Sequence, residues 1–211
     1  MEHPLIQPPE RHWSDPITSS RVVVVAASAG GLAPLLELVG ALPADFPAAV
    51  IVIQHRGPDF PELLPSLLAR RTALKVRHAS TGDLLEPGTI YVCPPGFHLT
   101  TEYALRLVEG PKLEYVRPSA DLALQSAART HGPNVVGVVL SGAGSDGAVG
   151  CEWIIAAAGA VLVQDPESSA FPSMPNAAIA SPSTMICMPR YFMSQRESVR
   201  IWSSSAFRLG L

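Results

Sequence analysis

Residues 21–28 read RVVVVAAS: after Arg21 come four consecutive valines and two alanines, with no polar side chain until the serine. A strand with one wet face alternates apolar and polar residues. A strand that is apolar throughout has both faces covered, the condition of a parallel sheet between two helical layers. The same kind of run recurs as AAVIVIQH (48–55), NVVGVVLSG (134–142) and AVLVQD (160–165), with TMICM (184–188) as a shorter last candidate. Helical patterns lie between these runs. Leu32, Leu35, Leu36 and Val39 share one face. FPELLPSLLARR (60–71) reads as a helix with Pro61 in its first turn. Ser119 caps a helix over 120–131 that Gly132 stops, and another helix runs through Trp153 to Ala158. Residues 73–77 read as a short strand. GTIYVCPPGFHLTTEYALRLVE (88–109) reads as a strand, a Pro-Pro-Gly break and an antiparallel hairpin. Strands alternating with helices make βαβ units, whose right-handed crossovers put helices on both faces. The expected fold is α/β: a doubly wound, mostly parallel sheet with an antiparallel hairpin insertion.

A chain of 211 residues suits one such domain, placed at 21–190, with a Pro-rich leader at 1–20 and a C-terminal tail of unassigned role at 191–211. Net charge is −3 and the 15 Lys and Arg are scattered, so no basic stripe invites nucleic acid. No apolar run reaches the roughly 18–20 residues of a membrane span, and the N-terminus lacks the order of a signal peptide. Cys93, Cys151 and Cys187 lie far apart without a CxxC pair, which suits reduced thiols and a cytoplasmic location. The six histidines show no HExxH-like spacing, so no metal site is expected.

In open α/β sheets, sites form beyond the carboxyl ends of strands. Ser28 follows the first apolar run, Gln54-His55 ends the second, Ser141 to Gly147 follows the third, and Gln164-Asp165 ends the fourth. A nucleotide loop is the first alternative for a Gly-rich turn after a first strand. Here both G-x-G-x-x-G and the P-loop Lys are missing, and the second strand ends in Gln-His rather than a ribose-binding acid. A serine, a histidine and an aspartate at strand ends are instead the parts of an acyl-transfer site. Ser28 is the candidate nucleophile and His55 the candidate base, with Asp146 or Asp165 as the acid. Singly, a strand-end histidine is more often structural and an Asp-Gly more often a turn. Backbone N–H groups at Ala29 and Gly30, where a helix starts, and at Ala143 and Gly144 are candidate oxyanion donors.

Six blocks carry a family resemblance: AASAGG, QHRGPDF, EPGTIYVCPPGFHL, VRPSADLALQSAA, VVLSGAGSDGAVG and VQDPESSAFPSMPNAAI. In this order the chain resembles the catalytic domain of CheB-type chemotaxis receptor methylesterases from about Val22 to Pro189. The resemblance implies the triad Ser28, His55 and Asp146, selecting Asp146 over Asp165. It implies hydrolysis of glutamate methyl esters on chemoreceptor cytoplasmic helices with release of methanol, related glutamine deamidation, and no cofactor. Ala29 stands where the family has threonine, and Ser141 and Ala143 stand where it has threonine and methionine. The family carries an N-terminal receiver domain whose phosphorylation relieves inhibition, and residues 1–20 are too short for one. That leaves an unregulated enzyme, control in trans by a receiver or kinase of a two-component system, or a piece of a longer chain. His98 and Arg117 are candidates for the substrate cleft, beside the plainer readings of a structural histidine and a solvated arginine. Asp121 is expected in the first turn of its helix and His131 near its end, each suited to the helix dipole. Two rival functions stand: a serine esterase or amidase of another signalling system, and a catalytically weak module that binds receptor or kinase helices.

Overall fold

The structure is a computed structural model that describes residues 21–55, 63–113, 116–180 and 186–188, the last three as backbone only. The leader at 1–20, the tail at 191–211 and Pro61 lie outside the described residues. The apolar runs form a parallel sheet: β1 (Arg21–Ala27), β2 (Ala48–Gln54), β3 (Lys75–His78), β4 (Thr89–Val92), β7 (Val135–Val139), β8 (Ala160–Gln164) and β9 (Ile186–Met188). Its order is β3-β4-β2-β1-β7-β8-β9. The chain between β4 and β7 folds as the expected hairpin, β5 (His98–Thr101) paired antiparallel with β6 (Leu105–Val108).

Each inner strand serves two cores at once, because successive side chains point to opposite faces. On one face Val23, Val25 and Ala27 pack with Val50 and Val52 beneath α1 (Leu32–Gly40) and α2 (Leu64–Ala69). On the other, Val22, Val24 and Ala26 pack with Ile51 and Ile53 beneath α3 (Ala120–His131), α4 (Ala148–Ala156) and α5 (Ser173–Ile179). Burying one such aliphatic side chain contributes about 1.5–3 kcal/mol, so the continuous apolar runs drive both layers. Gly137 in the middle of β7 lets the second layer settle closely. A Cβ there would lie 2.7 Å from Ile154 Cδ1 and 3.2 Å from Leu124 Cδ2. The hairpin docks on α3 through Thr101 N–H to Ser126 Oγ at 3.0 Å and Thr130 Oγ1 to the Thr101 carbonyl at 2.8 Å.

Three elements differ from the sequence expectation. Helix α2 starts at Leu64, with Pro65 in its first turn. Proline has no N–H to donate and clashes inside a helix, so a helix begun at residue 60 would be broken there. Helix α4 ends at Ala156, because Ala158 adopts a left-handed φ of 61°. Helix α5 is new: seven residues containing a proline carry too little periodicity to announce themselves. Among the described residues, no helix is long and apolar enough to cross a membrane.

Candidate active site

The parallel ladder carries its register past the strand ends. His55 N–H donates to the Ala27 carbonyl at 2.9 Å, and Ser28 N–H donates to the Ser141 carbonyl at 3.0 Å. Ser28 therefore sits between the ends of β2 and β7, where the chain switches from one side of β1 to the other, the usual crevice of an open sheet. The Ser28 turn closes with Gly31 N–H on the Ser28 carbonyl at 3.0 Å. Gly30 takes φ +70°, and a Cβ on it would crowd Ala170 Cβ at 2.7 Å and Ser141 Oγ at 2.9 Å. Facing it, a Cβ on Gly142 would overlap the Met174 sulfur and lie 2.8 Å from Ser28 Cβ. The Ser141 hydroxyl joins the two loops: it donates to the Ala29 carbonyl and accepts the Phe171 N–H, both at 2.9 Å.

The structure brings His55 and Asp146 together. His55 Nε2 lies 2.7 Å from Asp146 Oδ2, and the side chains are 9% and 6% exposed. Asp146 reaches across to the N-terminus of α3, whose first N–H groups have no partner within the helix. Ala120 N–H donates to Oδ2 at 2.6 Å and Asp121 N–H to Oδ1 at 2.9 Å. The Ser119 hydroxyl donates to Oδ1 at 3.0 Å while accepting the Leu122 N–H, so Ser119 caps α3 as expected. Burial works to raise the Asp146 carboxyl. The hydrogen bond to His55 and those from Asp121 and Ala120 outweigh it, so the carboxyl is held below its ordinary value. The arrangement is reciprocal. The Asp121 carboxylate, on the first turn of α3, accepts Gly147 N–H at 2.9 Å and Gly150 N–H at 2.6 Å at the start of α4. Each helix N-terminus thus holds an acid from the other's neighbourhood, and together they pin the loop carrying Asp146.

Ser28 and His55 make no hydrogen bond with each other. His55 Nδ1 is buried and has no partner among the described residues. With Nε2 turned to Asp146, Nδ1 is the ring nitrogen open to a proton. The N–H groups of Ala29, Gly30, Ala143 and Gly144 likewise take no partner among the described residues. Asp165 is placed elsewhere: its carboxylate caps its own turn by accepting Glu167 N–H at 3.0 Å.

The two cleft candidates are placed in structural roles. His98 is 2% exposed, with Nδ1 accepting Ser119 N–H at 3.1 Å and Nε2 donating to the Pro111 carbonyl at 2.9 Å. It braces the residue whose hydroxyl holds Asp146, so it serves the site from behind. Arg117 is half-buried and donates to the Gly110 carbonyl, tying two loops together. Sequence reasoning missed Ser119 and Asp121 as supports of the acid loop, and Gln54 as a link between Ser28 and His55. Gln54 Nε2 donates to the Ser28 carbonyl at 3.0 Å and the His55 carbonyl at 3.1 Å. The available signal was a polar residue ending an otherwise apolar strand beside a candidate base. No cluster of His, Cys, Asp and Glu able to hold a metal occurs among the described residues.

A family profile described as CheB methylesterase matches residues 23–195. The chain is 37% identical over 180 residues to protein-glutamate methylesterase/protein-glutamine glutaminase 2 of Caulobacter vibrioides, covering 82% of this chain and 51% of that one. It is 39% identical over 160 residues to protein-glutamate methylesterase FrzG of Myxococcus xanthus, covering 75% and 48%. The chain thus spans about half the length of the curated relatives it matches. The crystal structure of the Thermotoga maritima CheB methylesterase catalytic domain superposes with a TM-score of 0.78 at 30% identity, covering 82% of this chain and 95% of that one. With the family profile spanning most of its length, the chain belongs to the CheB methylesterase family.

Proposed function

We propose that this protein hydrolyses glutamate methyl esters on the cytoplasmic helices of chemoreceptors through a Ser28–His55–Asp146 triad. Ser28 Oγ attacks the ester carbonyl carbon as its proton passes to His55 Nδ1, and the N–H groups around Ala29–Gly30 and Ala143–Gly144 stabilise the oxyanion. The imidazolium leans on Asp146, which its hydrogen bonds keep ionised at neutral pH. Collapse breaks the C–O bond, and His55 returns the proton so that methanol leaves. Water, deprotonated by His55, then attacks the acyl-serine; the bond from the acyl carbon to Ser28 Oγ breaks, His55 returns the proton to Ser28 Oγ, and the glutamate is freed. A glutamine side chain follows the same route, with ammonia as leaving group. The donors are backbone groups, so alanine at 29 and 143 leaves them in place.

The observation that carries this reading is the 2.7 Å contact between His55 and Asp146 at the end of β2, with Nδ1 unpartnered among the described residues and β1, which Ser28 follows, alongside. The names of the relatives, methylesterase and glutaminase, favour the ester and amide substrates. The test is methanol release from a methylated receptor cytoplasmic fragment, wild type against Ser28→Ala. Loss of a triad nucleophile typically lowers turnover about 10⁴–10⁶-fold, and equal rates refute the reading. Activity on small esters with none on receptor moves the substrate to another signalling system. Repeating the assay with phosphorylated receiver proteins and kinases tests for a regulator acting in trans, and a cytoplasmic location follows from such a substrate.

A further inference from the structure

We propose that Gln54 is a positioning residue that sets the nucleophile and the base of this site at their working separation; the inference rests on the triad reading above. Gln54 is the last residue of β2, and its side chain turns back across the gap to β1. One amide nitrogen reaches the backbone carbonyls of both Ser28 and His55, at 3.0 and 3.1 Å. Carbonyl oxygens only accept hydrogen bonds, and of all uncharged side chains only an amide offers two N–H donors from one atom. The two acceptors therefore fix which end of the amide faces them.

The surroundings show that this link dominates the conformation of the side chain. Gln54 Oε1 is buried without a partner among the described residues, so the amide is oriented by its nitrogen alone. The Ser28 carbonyl also accepts the Gly31 N–H that closes the nucleophile turn. Gln54 thus grips that turn at its fixed point rather than at its exposed tip. On the other strand, Gln54 is the only described donor to the His55 carbonyl. The ladder bond from His55 N–H to Ala27 sets the height of the two residues along the sheet. The Gln54 amide ties their carbonyls laterally. Neither Ser28 nor His55 has a side-chain bond to the other to do this work, so in the free protein their separation rests on the backbone and on this amide.

The test measures methanol release from a methylated receptor cytoplasmic fragment for wild type, Ser28→Ala, Gln54→Met and Gln54→Glu, with each rate divided by the folded fraction from urea unfolding. Methionine matches the length without a donor, and an ionised glutamate matches the shape without a donor. Looseness of about 1 Å between reacting groups costs on the order of 10²-fold. Both Gln54 variants should therefore lose roughly 10–100-fold in kcat per folded molecule, with KM nearly unchanged. A purely structural role lowers the folded fraction and leaves kcat per folded molecule intact, which overturns the inference, as does a rise in KM at unchanged kcat. Wild type faster than Ser28→Ala, with both Gln54 variants matching wild type, refutes Gln54 alone. Wild type no faster than Ser28→Ala removes the triad reading and this inference with it.

Discussion

Replacing Asp121 by alanine removes the carboxylate that receives Gly147 N–H at 2.9 Å and Gly150 N–H at 2.6 Å, and leaves the Asp121 N–H on Asp146. Two buried-side donors at the start of α4 lose a charged acceptor. Hydrogen bonds to charged groups contribute about 1.5–3 kcal/mol each, and loss of an N-cap side chain costs about 0.5–2 kcal/mol. The two bonds share one acceptor and one helix end, so they do not add fully. The expected loss is about 2–4 kcal/mol. In a domain of this size that lowers Tm by roughly 2–4 °C per kcal/mol, and lowers the urea midpoint at constant m. Asp121→Asn keeps an oxygen acceptor without the charge and should lose about half as much. Activity per folded molecule should fall too, since Gly147 adjoins Asp146. If Asp121→Ala unfolds within about 0.5 kcal/mol of wild type at unchanged m, the reciprocal capping of α3 and α4 contributes little to stability.

Further outcomes follow from neighbouring contacts. Gly142→Ala drives a Cβ into Met174 and to 2.8 Å from Ser28 Cβ; it should cost about 10–100-fold in kcat, and methanol release at the wild-type rate would refute the packing. Asp146→Asn should fold yet lose about 10⁴ in kcat, as expected when a base loses its orienting acid, whereas Asp165→Asn should match wild type in the same assay. Burial lowers the His131 imidazole from 6.5 to about 4, so between those values the unfolded chain binds a proton that the folded chain excludes. That contribution is complete above about pH 6.5 and is lost as the pH falls toward 4, by roughly 3 kcal/mol in all. Urea midpoints across this range should therefore drop on acidification, and His131→Asn should flatten the trend; an unchanged trend in the variant assigns it to other groups. Asp146, held below its ordinary value, adds a loss only at lower pH still, as the carboxyl is protonated.

The sheet was legible because a strand covered on both faces has no polar positions between its ends, and β1, β2, β7 and β8 all announce themselves this way. Their ends then pointed to Ser28, His55 and the loop containing Asp146. The choice between Asp146 and Asp165 was not readable from the residues by themselves, since both acids follow a strand. What separates them is the fold: α3 delivers its unpaired N–H groups to Asp146, while Asp165 turns back on its own loop. Supports at that distance leave no local mark. Ser119 reads as a cap and Asp121 as a first-turn acid, and both readings hold without revealing that each reaches another loop. For His98 the sequence leaves a cleft and a structural reading side by side; as the first residue of β5 it turns its ring to Ser119 N–H and the Pro111 carbonyl, contacts that only the docking of the hairpin creates. Gln54 was visible as a polar strand end, yet only the register of β1 with β2 shows that its amide spans Ser28 and His55.

The central claim is that Ser28 and His55 act as one unit, and a double-mutant comparison tests it most directly. Methanol release from a methylated receptor fragment is measured for wild type, Ser28→Ala, His55→Ala and the double variant, each corrected for folded fraction. Groups that act as a unit are strongly non-additive. Each single variant should lose about 10⁴–10⁶ in turnover, and the double variant should be no slower than either. Single variants that retain wild-type turnover, or losses that multiply in the double variant, would contradict the claim.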